Sequence, residues 1–219
     1  MNLKNSLQLT LLFLAFLICN ACNKNKIVGN GYPTTEIVEV SDFKEIIFSG
    51  NYKIEIDTSQ TPKIEVFCDE NVFSFIKIRV KDSILSISNF KNTEFETKEP
   101  VIIKISNSFL EKITVNGYIV GDLKNIFKNN FIVITNGSSE LNMFGKILTT
   151  NLITNGSAEI NAHKLITNIA NVETSGSCEL KISDIQKLNL EISGSAKIQY
   201  SGNPEIKQEN SGSLELIKK

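Results

Sequence analysis

The chain has 219 residues, 23 Lys+Arg against 24 Asp+Glu, a formal net charge of −1 and 41% apolar residues. Near-neutral charge without a basic cluster lacks the cationic surface that holds a phosphate backbone, so nucleic acid is excluded as the expected partner. The apolar content excludes a disordered chain, and the length suffices for one substantial domain or two small ones.

Residues 1–21 read as a signal peptide. Lys4 supplies a positive start, and Leu7 to Ile18 is an apolar run too short for a comfortable membrane span. Ala21 then precedes Cys22, a small residue before a cysteine, as in a bacterial lipobox. The third residue before Cys22 is Cys19, where an aliphatic residue is usual. Cleavage would leave Cys22 as an acylated, palmitate-bearing N-terminus. The alternative is an ordinary signal peptide cut near Ala21, with Cys22 a spare thiol. Loss of residues 1–21 removes one charged side chain, Lys4, and leaves a formal charge of −2.

Residues 22–35 then form the lipidated N-terminus and a polar tether. From Glu36 the sequence alternates in short runs: 36–40, 45–48, 52–57, 63–68, 76–81, 84–88 and 101–106, separated by turn residues. Asp69 could cap one helical turn over 70–76. Residues 89–100 are polar, end in Pro100 and read as a long loop. The stretch 36–110 is expected to be a β-rich N-terminal cap or first coils, shielding an open strand edge.

The segment 111–219 is built on a phrase repeated five times, at Gly137, Gly156, Gly176, Gly194 and Gly212, with a looser copy at Gly117. The glycines stand 20, 19, 20, 18 and 18 residues apart, the period of stacked structural units. Four residues before them come Ile113, Val133, Leu152, Val172 and Leu190; four after come Leu141, Ile160, Leu180, Ile198 and Leu216. This period-two alternation predicts strands with one buried face. A glycine on the inward phase marks a corner or close backbone approach. Each unit therefore reads as strand, corner, strand and a less regular return, one coil of a β-solenoid. Phe48 to Ile54, around Gly50, reads as a degenerate copy.

Several features together resemble the family of the putative auto-transporter adhesin, head GIN domain. They are the lipobox, Phe43…Ile47-x-x-Gly50, Asp69-Glu70-Asn71, the serial Gly-Ser-x-Glu turns, and Ile198-x-Tyr200-x-Gly202-x-Pro204 followed by Ser211-Gly212-Ser213. The resemblance covers nearly the whole chain after the signal peptide. It implies an all-β, right-handed parallel β-helix-like solenoid with a β-rich N-terminal cap. It also implies a secreted or lipid-anchored protein, mostly from Bacteroidota, that acts in adhesion at the cell surface, with no catalytic residues to carry over. Family turns are often Gly-Ser-Gly, whereas the third position here is Ser, Ala, Cys or Leu.

Three residue sets carry possible chemistry. Ser138, Ser157, Ser177 and Ser195 follow the glycines, and Asn136 and Asn155 precede two of them. They form a polar corner that either meets a glycan or protein, or satisfies the turns and bonds up the stack. Glu140, Glu159 and Glu179 form an outward column, with Lys197 and Glu215 beyond. The column reads as a solvated charged face, with calcium a weaker alternative. The single histidine, His163, reads as a surface residue, and no nucleophile or zinc-ligand spacing is marked. Cys68 and Cys178 are expected as buried free thiols rather than a disulfide. The expectation is a non-enzymatic lipoprotein of the outer membrane, periplasmic or surface-facing, that needs no cofactor. Its partners would be the membrane and a glycan or surface protein. A ligand-free envelope scaffold and a polysaccharide-acting β-helix enzyme are the alternatives.

Overall fold

The structure, a computed structural model, describes residues 25–90 and 93–219. The signal peptide and Cys22 lie outside the described residues. The N-terminal strands are β1 (Asn25–Val28), β2 (Pro33–Val38), β3 (Glu45–Ser49), β4 (Asn51–Asp57) and β5 (Lys63–Asp69). A short helix, α1 (Glu70–Phe73), leads to β6 (Ile76–Lys81), β7 (Ile84–Asn89), β8 (Thr93–Glu96) and β9 (Ile102–Ser106). Next come β10 (Lys112–Val115) and three long strands: β11 (Tyr118–Thr135), β12 (Ser138–Thr154) and β13 (Ser157–Thr174). The chain continues with β14 (Ser177–Ser183), β15 (Lys187–Ile192), β16 (Ser195–Tyr200), β17 (Glu205–Asn210) and β18 (Ser213–Lys218).

Each repeat supplies one rung to two parallel ladders that meet at the glycine. Before the glycine, Ile113, Val133, Leu152, Val172 and Leu190 align one above another. After it, Leu141, Ile160, Leu180, Ile198 and Leu216 do the same. The alternation seen in the sequence thus becomes stacked apolar columns, and the first four residues of the second column are buried. The fold is a parallel β-solenoid, as the repeat period requires.

The corners are rungs too. Ser138 N–H donates to the Gly117 carbonyl, Ser157 to Gly137, Ser177 to Gly156 and Ser195 to Gly176, all at 2.8–2.9 Å. A Cβ placed on Gly137, Gly156, Gly176, Gly194 or Gly212 would overlap the carbonyl oxygen of the glycine one coil earlier. Gly117 stands in the same relation to Gly50, so seven glycines form one backbone-to-backbone column. None of these seven has a positive φ. They are required by close approach, not by a left-handed conformation.

The returns at 184–186 and 201–204 lie outside any strand, but the first three expected irregular returns are strand instead. β11, β12 and β13 run on through them, with register shifts at Leu123/Ile126, Asn142/Phe144 and Ala162/Ile166. Continuing the ladder there satisfies backbone groups that a loop would leave to water.

At the N-terminal end, β3 and β4 join the two ladders, and β7 and β9 stack on them in parallel. Outside these, β6 pairs antiparallel with β7, β5 with β9, and β2 with β5. The antiparallel strands cover the edge that a bare coil would expose. The helical turn forms as expected after Asp69, although the Asp69 side chain makes no capping bond. Two segments differ from expectation. Residues 25–28 of the tether and 93–96 of the polar loop pair as β1 and β8, with Ile27 and Phe95 packed against the core. That apolar pair makes both stretches strand despite their polar neighbours. At the other end, Gln208 and Asn210 stand where the previous coil has Leu190 and Ile192, so the last coil turns polar side chains to its open end. Among the described residues no helix is long and apolar enough to cross a membrane.

Candidate functional site

The outward face of the second ladder carries the sequence-predicted serines and glutamates, and Asn136 and Asn155 stand just before its corners. Successive side chains along a strand point to opposite sides. The residue after each glycine therefore faces out, and registry places Asn51, Tyr118, Ser138, Ser157, Ser177, Ser195 and Ser213 in one column. Two residues on, Lys53, Val120, Glu140, Glu159, Glu179, Lys197 and Glu215 form a parallel column.

The Ser and Asn candidates separate by what their side chains do. Asn136 Nδ2 donates to Asn116 Oδ1 at 2.8 Å, Asn155 Nδ2 to Asn136 Oδ1 at 2.9 Å, and Ser175 Oγ to Asn155 Oδ1 at 2.9 Å. Asn136 and Asn155 are thus bonded up the stack. Ser157, Ser177 and Ser195 are exposed, and Ser138 is half-buried. Their neighbours along the corner differ only in the hydroxyl column's first two members, Asn51 and Tyr118.

The glutamate column is compensated from within the protein. Lys181 Nζ lies 3.5 Å from Glu159 and 3.4 Å from Glu179. Glu140 accepts the Tyr118 hydroxyl at 2.9 Å, a bond that raises the phenol above its ordinary pKa. Lys197 pairs with Glu215 at 3.6 Å, not with the Glu179 that its position in the repeat suggested. Among the described residues, no three His, Cys, Asp or Glu side chains are grouped to hold a metal ion. His163 Nδ1 lies within hydrogen-bond distance of Asn161 Oδ1 on the exposed surface. Cys68 and Cys178 are both free and buried, as expected. Burial pushes the Cys68 thiol up to about 11 and raises Cys178.

Two features were not singled out from the sequence. One is a second amide column on the first ladder, in which Asn151 donates to Asn130 at 2.6 Å, Asn171 to Asn151 at 2.8 Å and Asn189 to Asn171 at 2.7 Å. Asn at five residues before Gly156, Gly176 and Gly194 was the available signal. This column borders a groove of about 510 Å³ that is also lined by Glu173, Glu191 and Glu209. The other is a cleft of about 690 Å³ between the first two rungs and the segment that connects β7 to β9. Its signal was Tyr118, an aromatic where later repeats have serine.

The architecture and the polar corner define a parallel β-solenoid of repeated Gly-Ser coils with an outward-facing polar surface. The chain belongs to the family described as "Putative auto-transporter adhesin, head GIN domain", which it matches over residues 42–204. Its fold is similar to that of a "putative adhesin" from Bacteroides fragilis NCTC 9343, with a TM-score of 0.66, 20% identity and coverage of 88% of this chain and 97% of that one. A "putative lipid binding protein" from Parabacteroides distasonis ATCC 8503 aligns with a TM-score of 0.46 at 21% identity, covering 89% of this chain and 99% of that one. No curated protein matches the chain. The family and the Bacteroides fragilis protein are described as adhesins, neither as an enzyme.

Proposed function

We propose that this protein is exported, cleaved before Cys22 and acylated there, and that it holds its solenoid out from the outer membrane as a non-enzymatic binding module. The contact ridge is the serine column, Ser138, Ser157, Ser177 and Ser195, and the partner is a glycan or a surface protein. Membership of an adhesin family supports the reading. The observation that carries it is the registry of the four serines, one per coil at ~4.8 Å spacing, on the outer corner. A repeating row of small hydroxyls suits a repeating or extended ligand. Asn136 and Asn155 hold the corner in shape through their column bonds, and the glutamates keep the flank solvated.

The test has two parts. Metabolic palmitate labelling, with Cys22→Ala as control, reads the anchor, and protease shaving of intact cells reads the face. Pull-down from cell-surface extracts with wild type and a variant carrying Ser→Ala at all four positions reads the ridge. Labelling abolished by Cys22→Ala and a partner lost with the four serines are the expected results. Unchanged capture would remove the corner from the binding role. The second reading, a ligand-free scaffold, is favoured by the amide columns, whose bonds are spent within the protein. It predicts no partner lost with the serines.

A further inference from the structure

The seven stacked glycines end at Gly50, and the next rung outward is made differently. Its two strands, β7 and β9, stack on β3 and β4, yet no tight glycine corner joins them. The chain leaves at Asn89, forms β8 against β1, and returns at Ile102. This excursion stands beside the outward side chains of the first two corners. There, the column that is serine in the later coils is Asn51 and Tyr118, and the neighbouring column is Lys53 and Val120. The cleft between them is lined by apolar groups, Tyr118, Val120, Phe95 and Val101, and by polar ones that include Asn51 and Lys53.

Both walls are fixed. The Tyr118 hydroxyl donates to Glu140 at 2.9 Å while 42% of the residue remains exposed. Its donor is therefore used within the protein, and what it offers a ligand is the ring face. On the other side, the Tyr52 hydroxyl donates to Asn89 Oδ1, Asn89 Nδ2 donates to the Thr93 carbonyl at 3.1 Å, and Phe90 N–H donates to the Phe75 carbonyl at 2.9 Å. Lys53 N–H donates to the Val101 carbonyl at 2.9 Å and closes the base. A volume of about 690 Å³ falls within the ~300–1,000 Å³ range of small-ligand sites.

We propose that this cleft binds a short saccharide, with the Tyr118 ring as its stacking platform and Asn51 and Lys53 bonding its hydroxyls. A sugar ring has an apolar C–H face and a rim of hydroxyls, and the cleft sets an aromatic ring beside an amide and an ammonium. A fatty acyl chain would leave those polar groups desolvated without partners, a cost that selects against it. The site lies at the N-terminal end of the serine column but does not need it. The two can therefore fail separately.

The test is a screen of immobilised mono- to tetrasaccharides, followed by calorimetric titration of the strongest binder. The proteins are wild type, Tyr118→Ala, Tyr118→Phe, Lys53→Ala and the four-serine variant, each first checked for an unchanged β-sheet circular dichroism spectrum. Wild type is expected to bind at least one saccharide. Tyr118→Ala should weaken it about tenfold or more, Lys53→Ala about threefold, and Tyr118→Phe less than threefold, with the four-serine variant unchanged. Three results would overturn the proposal: no saccharide bound at about 10 mM, saccharide binding indifferent to both Tyr118→Ala and Lys53→Ala, or a cleft that takes cis-parinaric acid in a Tyr118-dependent way and no sugar. Lys53→Ala keeps the test open if Tyr118→Ala does not fold.

Discussion

At the scale of single residues, the glycine column is the most demanding feature. Gly156 has no room for a methyl group because the Gly137 carbonyl oxygen already occupies its place. That oxygen is backbone and belongs to a corner held by two neighbouring rungs, so it cannot swing aside as a side chain would. Gly156→Ala is expected to cost about 3 kcal/mol or more in urea unfolding. Gly31 has a φ of +77° and nothing near its Cβ position. Gly31→Ala is expected to cost only about 1 kcal/mol, the strain of a left-handed backbone. Equal costs at the two sites would show that the stack is not tight. The buried thiols give a pH prediction. The Cys68 thiol ordinarily ionises near 9 and is raised to about 11 by burial, then by Asp69 and Glu36. A thiol raised in the folded state leaves stability intact below pH 9 and erodes it as pH climbs from 9 towards 11, because only the unfolded chain readily gives up the proton. Cys68→Ser is expected to flatten that alkaline loss in thermal melts. In native protein with Cys22 replaced, neither thiol should react with a disulfide reagent at pH 8, and both should react in denaturant.

At the scale of elements, the columns that bond along the axis set the shape. Asn171 donates to Asn151 and accepts from Asn189, and it is half-buried on the first ladder. Asn171→Ala breaks both links and is expected to cost about 1–2 kcal/mol, read as a lower urea midpoint with an unchanged slope. The sequence displayed the rungs because the glycine and its flanking aliphatics recur in phase. It also displayed β2 to β7 and β9, since each is a short alternating run. It did not display β8, whose Thr-Glu-Phe-Glu holds a single apolar residue and gains its strand from pairing with β1. Nor did it display the partner of Glu179. Lys181 lies two residues along the same strand, and the sequence alone does not say which of several neighbouring amines will lean towards a given carboxylate. The cleft was hidden for a related reason. It depends on β7 and β9 being two halves of one rung, although 12 residues separate Asn89 from Ile102.

At the scale of the whole molecule, the solenoid is asymmetric. Its N-terminal end is closed by β2, β5 and β6, whereas the last coil, β17 and β18, pairs on one side only. Ile206, Leu214 and Leu216 pack against the core but remain partly exposed, and Gln208 and Asn210 face the open end. Stability in stacked repeats is largely a sum over neighbouring interfaces, so a coil with one neighbour opens first. Amide exchange is expected to be fastest in 205–218 and slowest in the central coils, with a difference of about tenfold or more. Uniform protection along the axis would mean that the last coil is covered in solution, as a partner or a second copy would do. The Tyr118 cleft lies at the other end, whereas Ser195 adjoins Ser213 of the last coil, so fraying there leaves the cleft and the first three serines of the ridge in place.

Everything rests on the corners being rungs rather than loops, and hydrogen exchange resolved to single residues reads this directly. The amides of Gly137, Ser138, Gly156, Ser157, Gly176 and Ser177 each donate to a carbonyl one coil earlier. They are expected to be as protected as Leu152 or Leu180 in the adjoining strands. Corner amides that exchange at the rate of free turns, while the strands stay protected, would contradict the stacked glycine column and the display of its serines.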